Sequence, residues 1–325
     1  MTQSSCLIHL EGQVQGLGIR PLLYRLAKTH GLNGWVRNNI SGVELCLQGL
    51  DSKIQDCLDA ITQENFCQIK AYKTIHEAIC SNFQILPSEG HSIIQAMMAP
   101  DLATCSACLA ELFDPNNRRF HHPFISCAQC GPRYSLVHQL PYDRHTTSMQ
   151  TFSMCEACLT EYRTPEDRRF HAQTISCLNC GPKLSLLDAK GVPIANHQKA
   201  IERVIEALSH DVIAIKGIGG FHLMCDANSD QAITKIRAIK RRPDKPLALM
   251  VQDIQMAKDL SHLTEEEIKT LQNPYAPIVI AKRKEAPSYP ISPYVAGTLP
   301  HFGIMLPYTP LHHLILQQCN KPLVL

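Results

Sequence analysis

The stretch CSACLAELFDPNNRRFHHPFISCAQC, residues 105–130, returns 50 positions later as CEACLTEYRTPEDRRFHAQTISCLNC, residues 155–180. Two cysteines separated by two residues can hold one metal ion from a tight turn, and two such pairs complete a tetrahedron. This spacing is typical of zinc sites. The sequence therefore predicts two structural Zn²⁺ sites with eight ligands: Cys105, Cys108, Cys127, Cys130, Cys155, Cys158, Cys177 and Cys180.

The repeat extends beyond the cysteines, which indicates a duplicated module within residues 101–187. Four thiolates leave no open coordination position, so a structural role is favoured over catalysis by the metal. Each ion would contribute on the order of 10 kcal/mol to the folding of a module with so little core. The spacing fits an ion bound within one repeat and equally an ion bound across the two. His121, His122 and His171 are alternative ligands.

Length and composition describe an ordinary globular protein. A chain of 325 residues allows two or three domains, and 45% hydrophobic with 18% charged residues excludes wholesale disorder. A net charge of +2 argues against a surface built to bind polyanions. Neither a signal-peptide pattern nor an apolar run of about 20 residues is found. The 15 cysteines favour metal-bound thiolates in a reducing compartment, and we expect a cytoplasmic protein.

Periodicity predicts an α+β multidomain fold. Residues 1–91 alternate in the order β-α-β-β-α-β, which describes a ferredoxin-like sandwich, with a further strand near residues 82–86. A linker is expected at 91–100, followed by the small duplicated four-cysteine module at 101–187. From residue 196 to 325 the pattern is α/β, with a buried strand predicted at 212–217 and a capped helix at 264–271.

A glycine-rich loop joins the first predicted strand to the first predicted helix, with the sequence Gly12-Gln13-Val14-Gln15-Gly16-Leu17-Gly18-Ile19-Arg20. Backbone N–H groups in such a loop can point into one concavity, and the helix N-terminus adds positive potential. Arg20 offers a planar fork that matches phosphate oxygens. Taken alone, the loop is equally well a simple tight turn.

Together with Gly34-Trp35-Val36-Arg37-Asn38, this loop resembles the acylphosphatase family over residues 1–90. The resemblance implies that Arg20 holds a phosphate group and Asn38 orients the attacking water. It also implies a phosphate-binding loop made of Gln15, Gly16, Leu17, Gly18 and Ile19. An acyl phosphate already has a good leaving group, so positioning and charge stabilisation can suffice without a nucleophilic side chain. Leu17 and Ile19 replace residues that are often valine and phenylalanine in the family, which affects packing rather than chemistry.

Six positive charges fall within eleven residues: Lys235, Arg237, Lys240, Arg241, Arg242 and Lys245. Such a run is usually a solvated helix face. Here Pro243 and Pro246 end the helix, so the last charges lie in a loop beside a strand, where a triphosphate can bind. Together with residues 215–227 and 306–313, the segment resembles the YrdC/Sua5 family. The resemblance implies binding of ATP with Mg²⁺ and formation of a carbamoyl-type adenylate, with four nucleotide-binding positions: Lys216, Lys240, Arg242 and Lys245.

Acylphosphatase-like, zinc-binding and YrdC-like regions in this order resemble the maturation carbamoyltransferases of nickel–iron hydrogenases, over essentially the whole chain. The resemblance implies that carbamoyl phosphate is hydrolysed to carbamate, which condenses with ATP and passes as a carbamoyl group to the C-terminal cysteine of a HypE-type partner. Family members continue with a Ser/Thr-Gly-Asn motif and a transfer domain. We therefore expect an incomplete YrdC-like domain, competent hydrolysis, impaired adenylation and no carbamoyl transfer.

A binding module without catalysis is the competing hypothesis. A zinc scaffold would then recognise RNA or unfolded chains, with Arg118-Arg119 and Arg168-Arg169 as nucleic-acid contacts. Such arginine pairs are more often solvated or paired with neighbouring acids. The enzyme hypothesis is favoured over RNA binding because the Arg20 and Asn38 motifs have no purpose in a binding module.

Overall fold

The structure is a computed structural model that describes residues 3–39, 41–63, 67–75, 80–89 and 97–325. Most of the expected linker, with the expected domain boundary at residue 91, lies outside the described residues. The chain divides into two compact units. The first comprises residues 1–101 and 126–180, and the second comprises residues 102–125 and 181–325.

The first unit contains a five-stranded sheet with two helices. Its elements are β1 (Gln3–Gly12), α1 (Ile19–Thr29), β2 (Asn33–Asn38), β3 (Val43–Leu50), α2 (Asp51–Gln63), β4 (Cys67–Ile75) and β5 (Phe83–Ile85). The strand order is β4-β1-β3-β2-β5, in which β1 runs antiparallel to β3 and β4, and β5 joins β2 in parallel. The first four strands and both helices form the predicted ferredoxin-like sandwich, and β5 adds a short edge strand.

Alternate residues of the central strands form the core of this sheet. Ile8 and Leu10 of β1 and Leu45 and Leu47 of β3 are fully buried, as the two-residue period of a strand requires. Each such side chain contributes about 1.5–3 kcal/mol by leaving water. The end of β1 and the start of α1 are therefore fixed, and the loop between them, residues 13–18, is held at both ends.

Each cysteine repeat carries one short helix directly after its first cysteine: α3 (Ser106–Phe113) and α4 (Glu156–Arg163). Turns make up most of the remainder, as expected for small metal modules. His121 and His171 occupy equivalent positions and both have a φ of 53°, in the left-handed region that few non-glycine residues adopt. The duplication thus extends to an uncommon backbone conformation.

The second unit contains a seven-stranded mixed sheet, a separate hairpin and five helices after α3. The elements after the repeats are β6 (Ser185–Leu187), β7 (Pro193–Asn196), α5 (His197–Leu208), β8 (Ile213–Lys216), β9 (Phe221–Asp226), α6 (Asp230–Lys240), β10 (Ala248–Met250), α7 (Ile254–Leu260), β11 (Ser261–His262), α8 (Glu265–Leu271), β12 (Val279–Arg283), β13 (His301–Met305), α9 (Pro310–Cys319) and β14 (Leu323–Val324). The strand order is β11-β12-β13-β10-β14-β9-β8. In the described part of the chain, no helix is long and apolar enough to cross a membrane.

Strand β8 differs from the prediction of a buried strand at 212–217. It lies at the edge of the sheet, and only Ile215 is buried, whereas Ala214 and Lys216 are exposed. A short apolar run fits an edge strand as well as a central one, because periodicity alone cannot place a strand within a sheet. Strand β14 is buried and pairs with both β10 and β9.

Candidate active site and metal centres

The loop after β1 places two glycines with left-handed backbone in front of α1. Gly16 has a φ of 89°, and Gly18, the N-cap of α1, has a φ of 73°. A Cβ atom would lie 2.9 Å from Met98 Cε at Gly16 and 3.2 Å from the Ala128 carbonyl oxygen at Gly18. Both backbone conformation and space therefore favour glycine. Since Gly18 has no side chain to cap α1, the first N–H groups of the helix are available to an anion.

The side chains of Arg20, from α1, and Asn38, from β2, are buried and meet at one backbone carbonyl. Nη2 of Arg20 donates to the Tyr142 carbonyl oxygen at 3.2 Å, and Nδ2 of Asn38 donates to the same oxygen at 3.4 Å. Nη2 of Arg20 also forms an ion pair with Asp143 Oδ1 at 2.7 Å. Nη1 of Arg20 donates to Ser88 Oγ at 3.2 Å. The structure thus brings together the two residues predicted to be catalytic.

Two buried oxygen atoms beside this carbonyl have no hydrogen-bond partner among the described residues, namely Asn38 Oδ1 and Tyr142 Oη. An unsatisfied buried polar atom costs roughly 1–3 kcal/mol. Both residues line a cavity of about 20 Å³, a volume on the scale of one water molecule. Burial raises the pKa of Tyr142, so its hydroxyl remains protonated and able to donate. The cavity can accept a water that both oxygens would hold.

Gln15 has a scaffolding role rather than a side-chain contact with the cavity. Its Nε2 donates to the carbonyl oxygens of Asn39, at 2.7 Å, and Gly42, at 3.1 Å, and its Oε1 accepts the Tyr142 N–H at 2.9 Å. The side chain is 1% exposed. Gln15 therefore ties the predicted phosphate loop to the turn after β2 and to the segment that carries Tyr142.

Six residues that were not predicted to belong to this pocket complete the cavity wall. They come from the part of the first unit that follows residue 125: Ala128, Arg133, Tyr142, His171, Ala172 and Gln173. Burial, followed by the positive charge of Arg20, lowers the pKa of His171 to about 4, so its imidazole is neutral at pH 7. At one of these positions the repeats differ in sequence, since Arg133 of the first repeat corresponds to Lys183 of the second.

Arg133 connects the predicted phosphate loop to the chain segment around Cys127. It is 2% exposed, and Nη2 donates to the carbonyl oxygens of Cys127 and Ala128, both at 3.0 Å. Its Nε donates to the carbonyl of Gly16, and its backbone N–H donates to Asp101 Oδ1 at 2.7 Å. A buried guanidinium needs a hydrogen-bond acceptor for each of its N–H groups. Arg133 thus fixes the loop to the chain segment around Cys127.

The eight cysteines form two groups, each confined to one repeat. One group contains Cys105, Cys108, Cys127 and Cys130, the other contains Cys155, Cys158, Cys177 and Cys180, and within each group the four sulfurs lie within 4.8 Å of one another. Of the two arrangements that the spacing allows, the structure has the one within a repeat. Among the described residues, no histidine belongs to either group.

The sulfur positions fit a tetrahedral metal ion. In the second group, Sγ of Cys177 lies 3.7 Å from the sulfurs of Cys155 and Cys180, and the sulfurs of Cys180 and Cys158 are 3.6 Å apart. Four sulfurs at a Zn–S distance of about 2.3 Å would be about 3.8 Å apart, whereas a disulfide requires about 2.05 Å. Both repeats can therefore hold a metal ion with four thiolates.

The thiolate form is favoured at Cys177. Burial raises its pKa, but hydrogen bonds from the backbone N–H groups of Cys180 and Asn179 and from the neighbouring thiols outweigh burial and lower the pKa to about 6. Metal ligation requires a deprotonated sulfur. The second repeat thus provides the charge state that a metal ion needs.

The arginine pairs of the repeats do not form an open basic surface. Arg119 and Arg169 are 2% and 3% exposed. Nε of Arg169 donates to the Ser126 carbonyl at 3.1 Å, and Ser126 Oγ donates to Thr174 Oγ1 at 2.9 Å. One arginine of each pair thus lies inside the fold, and Arg169 has a structural role instead of a nucleic-acid contact.

The predicted nucleotide-binding residues lie in the second unit around the end of α6 and the edge strand β8. Nζ of Lys216 lies 4.9 Å from the ring centre of Phe221. Lys240 ends α6, and burial, followed by the charge of Arg242, lowers its pKa. Nη2 of Arg242 donates to the Pro246 carbonyl at 2.6 Å, which shapes the loop, while Lys245 is exposed.

Two further side chains lie beside this group and were not selected as site residues. Nε2 of His222 lies 2.6 Å from Tyr308 Oη. Burial, followed by the charge of Lys240, lowers the pKa of His222. The basic run itself is partly structural, because Nη1 of Arg237 donates to the carbonyl oxygens of Arg242 and Pro243, both at 2.8 Å.

Three family models match successive parts of the chain. The acylphosphatase model matches residues 6–85. The model described as HypF finger matches residues 104–137 and 154–187. The Sua5/YciO/YrdC model, described as telomere recombination, matches residues 207–325. Along the chain, the three models follow the same order as the acylphosphatase-like, zinc-binding and YrdC-like regions predicted from the sequence.

Curated proteins match nearly the whole chain. It is 44% identical to carbamoyltransferase HypF of Synechocystis sp. over 322 residues, which is 98% of this chain and 42% of that protein. It is 42% identical to carbamoyltransferase HypF2 of Cupriavidus necator over 320 residues, which is 96% of this chain and 39% of that protein. The chain thus spans about two-fifths of the length of these relatives.

A solved structure supports the same relationship. The crystal structure of full-length HypF in the phosphate- and nucleotide-bound form superposes with a TM-score of 0.90 at 34% identity. The match covers 99% of this chain and 42% of that chain.

Proposed function

Because the chain is a homologue of the HypF carbamoyltransferases along nearly its whole length, we propose that its first unit hydrolyses carbamoyl phosphate. Water attacks the phosphorus atom, the bond between phosphorus and the bridging oxygen breaks, and carbamate leaves with inorganic phosphate as the second product. The reaction needs no covalent intermediate, because the leaving group is already a stable anion.

One observation carries this proposal. Arg20 Nη2 and Asn38 Nδ2 lie 3.2 and 3.4 Å from one shared oxygen, in the wall of a cavity that the glycine loop also lines. A guanidinium and an amide that converge in this way can hold a phosphate oxygen and a water next to each other. In the proposed roles, Arg20 and the backbone N–H groups of residues 15–19 bind the phosphate, and Asn38 Oδ1, which has no partner among the described residues, accepts a hydrogen bond from the attacking water.

A related solved structure supports phosphate and nucleotide as the ligand classes. The superposed HypF structure is titled as a phosphate- and nucleotide-bound form, so a related protein binds both ligand classes. For this chain we extend the proposal to ATP, with Mg²⁺, bound near Lys216, Lys240, Arg242 and Lys245 of the second unit. Carbamate oxygen would attack the α-phosphorus of ATP, giving carbamoyl-adenylate and pyrophosphate.

Transfer of the carbamoyl group is proposed for proteins of the relatives' full length, of which this chain spans about two-fifths. A cysteine thiolate of a HypE-type maturation partner would attack the carbamoyl carbon and release AMP. The two four-cysteine groups would each hold a structural Zn²⁺, whose contribution is to fix the fold of the repeats.

The proposed hydrolysis is tested by phosphate release from carbamoyl phosphate in the intact chain. We expect wild-type turnover well above spontaneous hydrolysis. In Arg20→Ala and Asn38→Ala, kcat/KM should fall by about 100-fold or more, because each variant removes a group that stabilises or positions the transition state.

Arg25→Ala is the matched control, since Arg25 is exposed on the same helix as Arg20 and its loss should leave kcat/KM unchanged. Far-UV circular dichroism and thermal unfolding of every variant show whether a loss of activity reflects a loss of fold. Wild-type protein that releases no phosphate above background, or equal activity in all three variants, refutes the proposal.

A further inference from the structure

The Arg20 nitrogen that the proposed reaction assigns to the phosphate is already occupied by two adjacent residues of the same chain. Arg20 Nη2 contacts the Tyr142 carbonyl and the Asp143 carboxylate, at 3.2 and 2.7 Å, and Asn38 Nδ2 contacts the same carbonyl at 3.4 Å. A carboxylate presents two oxygens to a guanidinium much as a phosphate does. The Tyr142–Asp143 corner therefore imitates the groups that the pocket is proposed to bind.

The space around these contacts agrees with an occupied pocket. The cavity lined by Arg20 and Asn38 measures about 20 Å³, which is on the scale of a single water. The Asp143 side chain is 15% exposed and that of Arg20 is 8% exposed. A substrate phosphate that binds Nη2 of Arg20 must compete with the Asp143 carboxylate for that nitrogen.

Several hydrogen bonds hold the backbone of the Tyr142–Asp143 corner in place. The Tyr142 N–H donates to Gln15 Oε1 at 2.9 Å, and the Asp143 N–H donates to Thr146 Oγ1 at 3.0 Å. The next residue, Arg144, donates to the carbonyl oxygens of Gln173, at 2.7 Å, and Phe152, also at 2.7 Å. The backbone of the corner is thus held in place, so a change in the contact between Asp143 and Arg20 would come from the Asp143 side chain.

We propose that Asp143 is a built-in competitor for the phosphate-binding arginine and thereby determines how tightly the pocket binds phosphate and acyl phosphates. In the resting pocket its carboxylate holds Arg20. When substrate binds, the carboxylate gives way to the phosphate group, and the Tyr142 carbonyl keeps Asn38 oriented. Because a bound phosphate dianion lies close to the displaced carboxylate, like-charge repulsion weakens its binding and favours release of the product.

The inference rests on the proposed function, but its test measures phosphate binding as well as turnover. Asp143→Asn removes the negative charge, and asparagine keeps the size of the side chain. Isothermal titration of the intact chain with inorganic phosphate should show about tenfold tighter binding in the variant than in the wild type. The KM for carbamoyl phosphate should fall by a similar factor, while kcat stays within about twofold.

Two further variants make the test specific. Asp59→Asn makes the same charge change on the exposed face of α2 and should bind phosphate like the wild type. Asp143→Ser also removes the charge, and serine, like asparagine, is favoured before a helical turn; it decides the question if Asp143→Asn does not fold. Unchanged or weaker phosphate binding in the folded variants overturns the inference, as does a fall in kcat at constant KM, which would make Asp143 a positioning group for the chemical step.

The wild-type protein offers a test that needs no variant. In crystals soaked with phosphate, the ion should lie on Arg20 with the Asp143 carboxylate displaced from the guanidinium. A phosphate bound to Arg20 beside an unbroken ion pair contradicts the inference. If phosphate binds more tightly in Asp143→Asn but no form of the protein hydrolyses carbamoyl phosphate, the competitor role stands and the proposed function fails.

Discussion

His312 is a fully buried imidazole in the second unit. It lies on α9 with its ring centre 4.8 Å from that of Tyr308 and 5.6 Å from that of His222. Neither ring nitrogen has a hydrogen-bond partner among the described residues. Burial lowers its pKa to about 3, so the folded protein keeps this histidine neutral throughout the range in which an exposed histidine would gain a proton.

This shift predicts a specific dependence of stability on pH. Between about pH 6.5 and 3, the proton binds His312 in the unfolded chain but not in the folded one, so the free energy of unfolding declines as the pH falls through that window. In His312→Phe this part of the decline disappears. Relative to the wild type, the variant should gain on the order of 2 kcal/mol or more between pH 7 and pH 4.

Urea unfolding of both proteins at the two pH values measures this gain. The quantity compared is the change in the free energy of unfolding between the two pH values, so a loss of packing energy that is the same at both does not affect the result. If the difference in the free energy of unfolding between variant and wild type is the same at pH 7 and at pH 4, His312 takes up its proton equally well in the folded and in the unfolded protein.

The candidate catalytic residues could be found from the sequence, whereas most of their neighbours could not. Arg20 and Asn38 belong to short motifs whose residue types and spacing have a chemical reason. Asp143 reaches Arg20, and His171 reaches the pocket, only through the tertiary fold of a segment without periodicity, more than 100 residues further along the chain. Contacts at such separations leave no local pattern, so the acceptor that holds Arg20 was missed.

At the scale of single elements, α8 shows how local chemistry determines where a helix begins. Thr264 Oγ1 accepts the Glu267 N–H at 3.2 Å, and Glu267 Oε2 accepts the Thr264 N–H at 2.7 Å. This reciprocal pair satisfies two backbone donors that a helix start leaves unpaired. The sequence predicted it because a capping box involves only four consecutive residues.

Thr264→Ala should lower the free energy of unfolding by about 1 kcal/mol, because alanine cannot accept the bond from the N–H group of residue 267. Thr270→Ala in the same helix is the matched control. Its hydroxyl bonds only the Glu266 carbonyl one turn earlier, and alanine has the higher helix propensity, so this change should be neutral or slightly stabilising. Chemical denaturation of the three proteins gives both values, and equal losses in the two variants would show that the cap does not contribute.

Strands were predicted less completely than helix starts, and the reason is again the range of the interactions. The run at 212–217 was correctly recognised as a strand, but its place at the sheet edge depends on β9, its partner on one side only. Strand β13 was not predicted at all, although it lies in the middle of the sheet between β12 and β10. A strand's depth in a sheet is set by which segments pair with it, and short apolar runs do not encode that choice.

At the scale of the whole molecule, the duplicated repeat does not form a unit of its own. Residues 126–180 cluster with the ferredoxin-like sheet in the first unit, while residues 102–125 cluster with the second. Within the first unit, the ring of Tyr24 on α1 packs edge-on against Phe170 at 5.2 Å. The second repeat therefore packs against α1 of the ferredoxin-like sandwich, which neither the cysteine spacing nor the strand pattern could show.

This packing leads us to expect that the proposed phosphatase depends on the second metal site. The cysteines of that site flank Gln173, which accepts bonds from Arg144 and lines the pocket together with His171. Without its metal, so small a module loses most of its stabilisation. We expect the wild-type chain to bind two zinc ions and Cys158→Ala to bind one, with kcat/KM for carbamoyl phosphate reduced at least about tenfold even though Arg20 and Asn38 are intact.

Metal analysis by mass spectrometry and phosphate release on the same samples test both parts of this prediction. Cys80→Ala is the matched control, because Cys80 is a half-buried cysteine of the first unit that belongs to neither metal-binding group, and it should keep two zinc ions and full activity. Full activity in a one-zinc Cys158→Ala protein would mean that the sheet holds the pocket without the repeat. Parallel loss of zinc and activity would instead make the metal a structural support of the pocket, acting through Gln173 and His171 and without contact with the substrate.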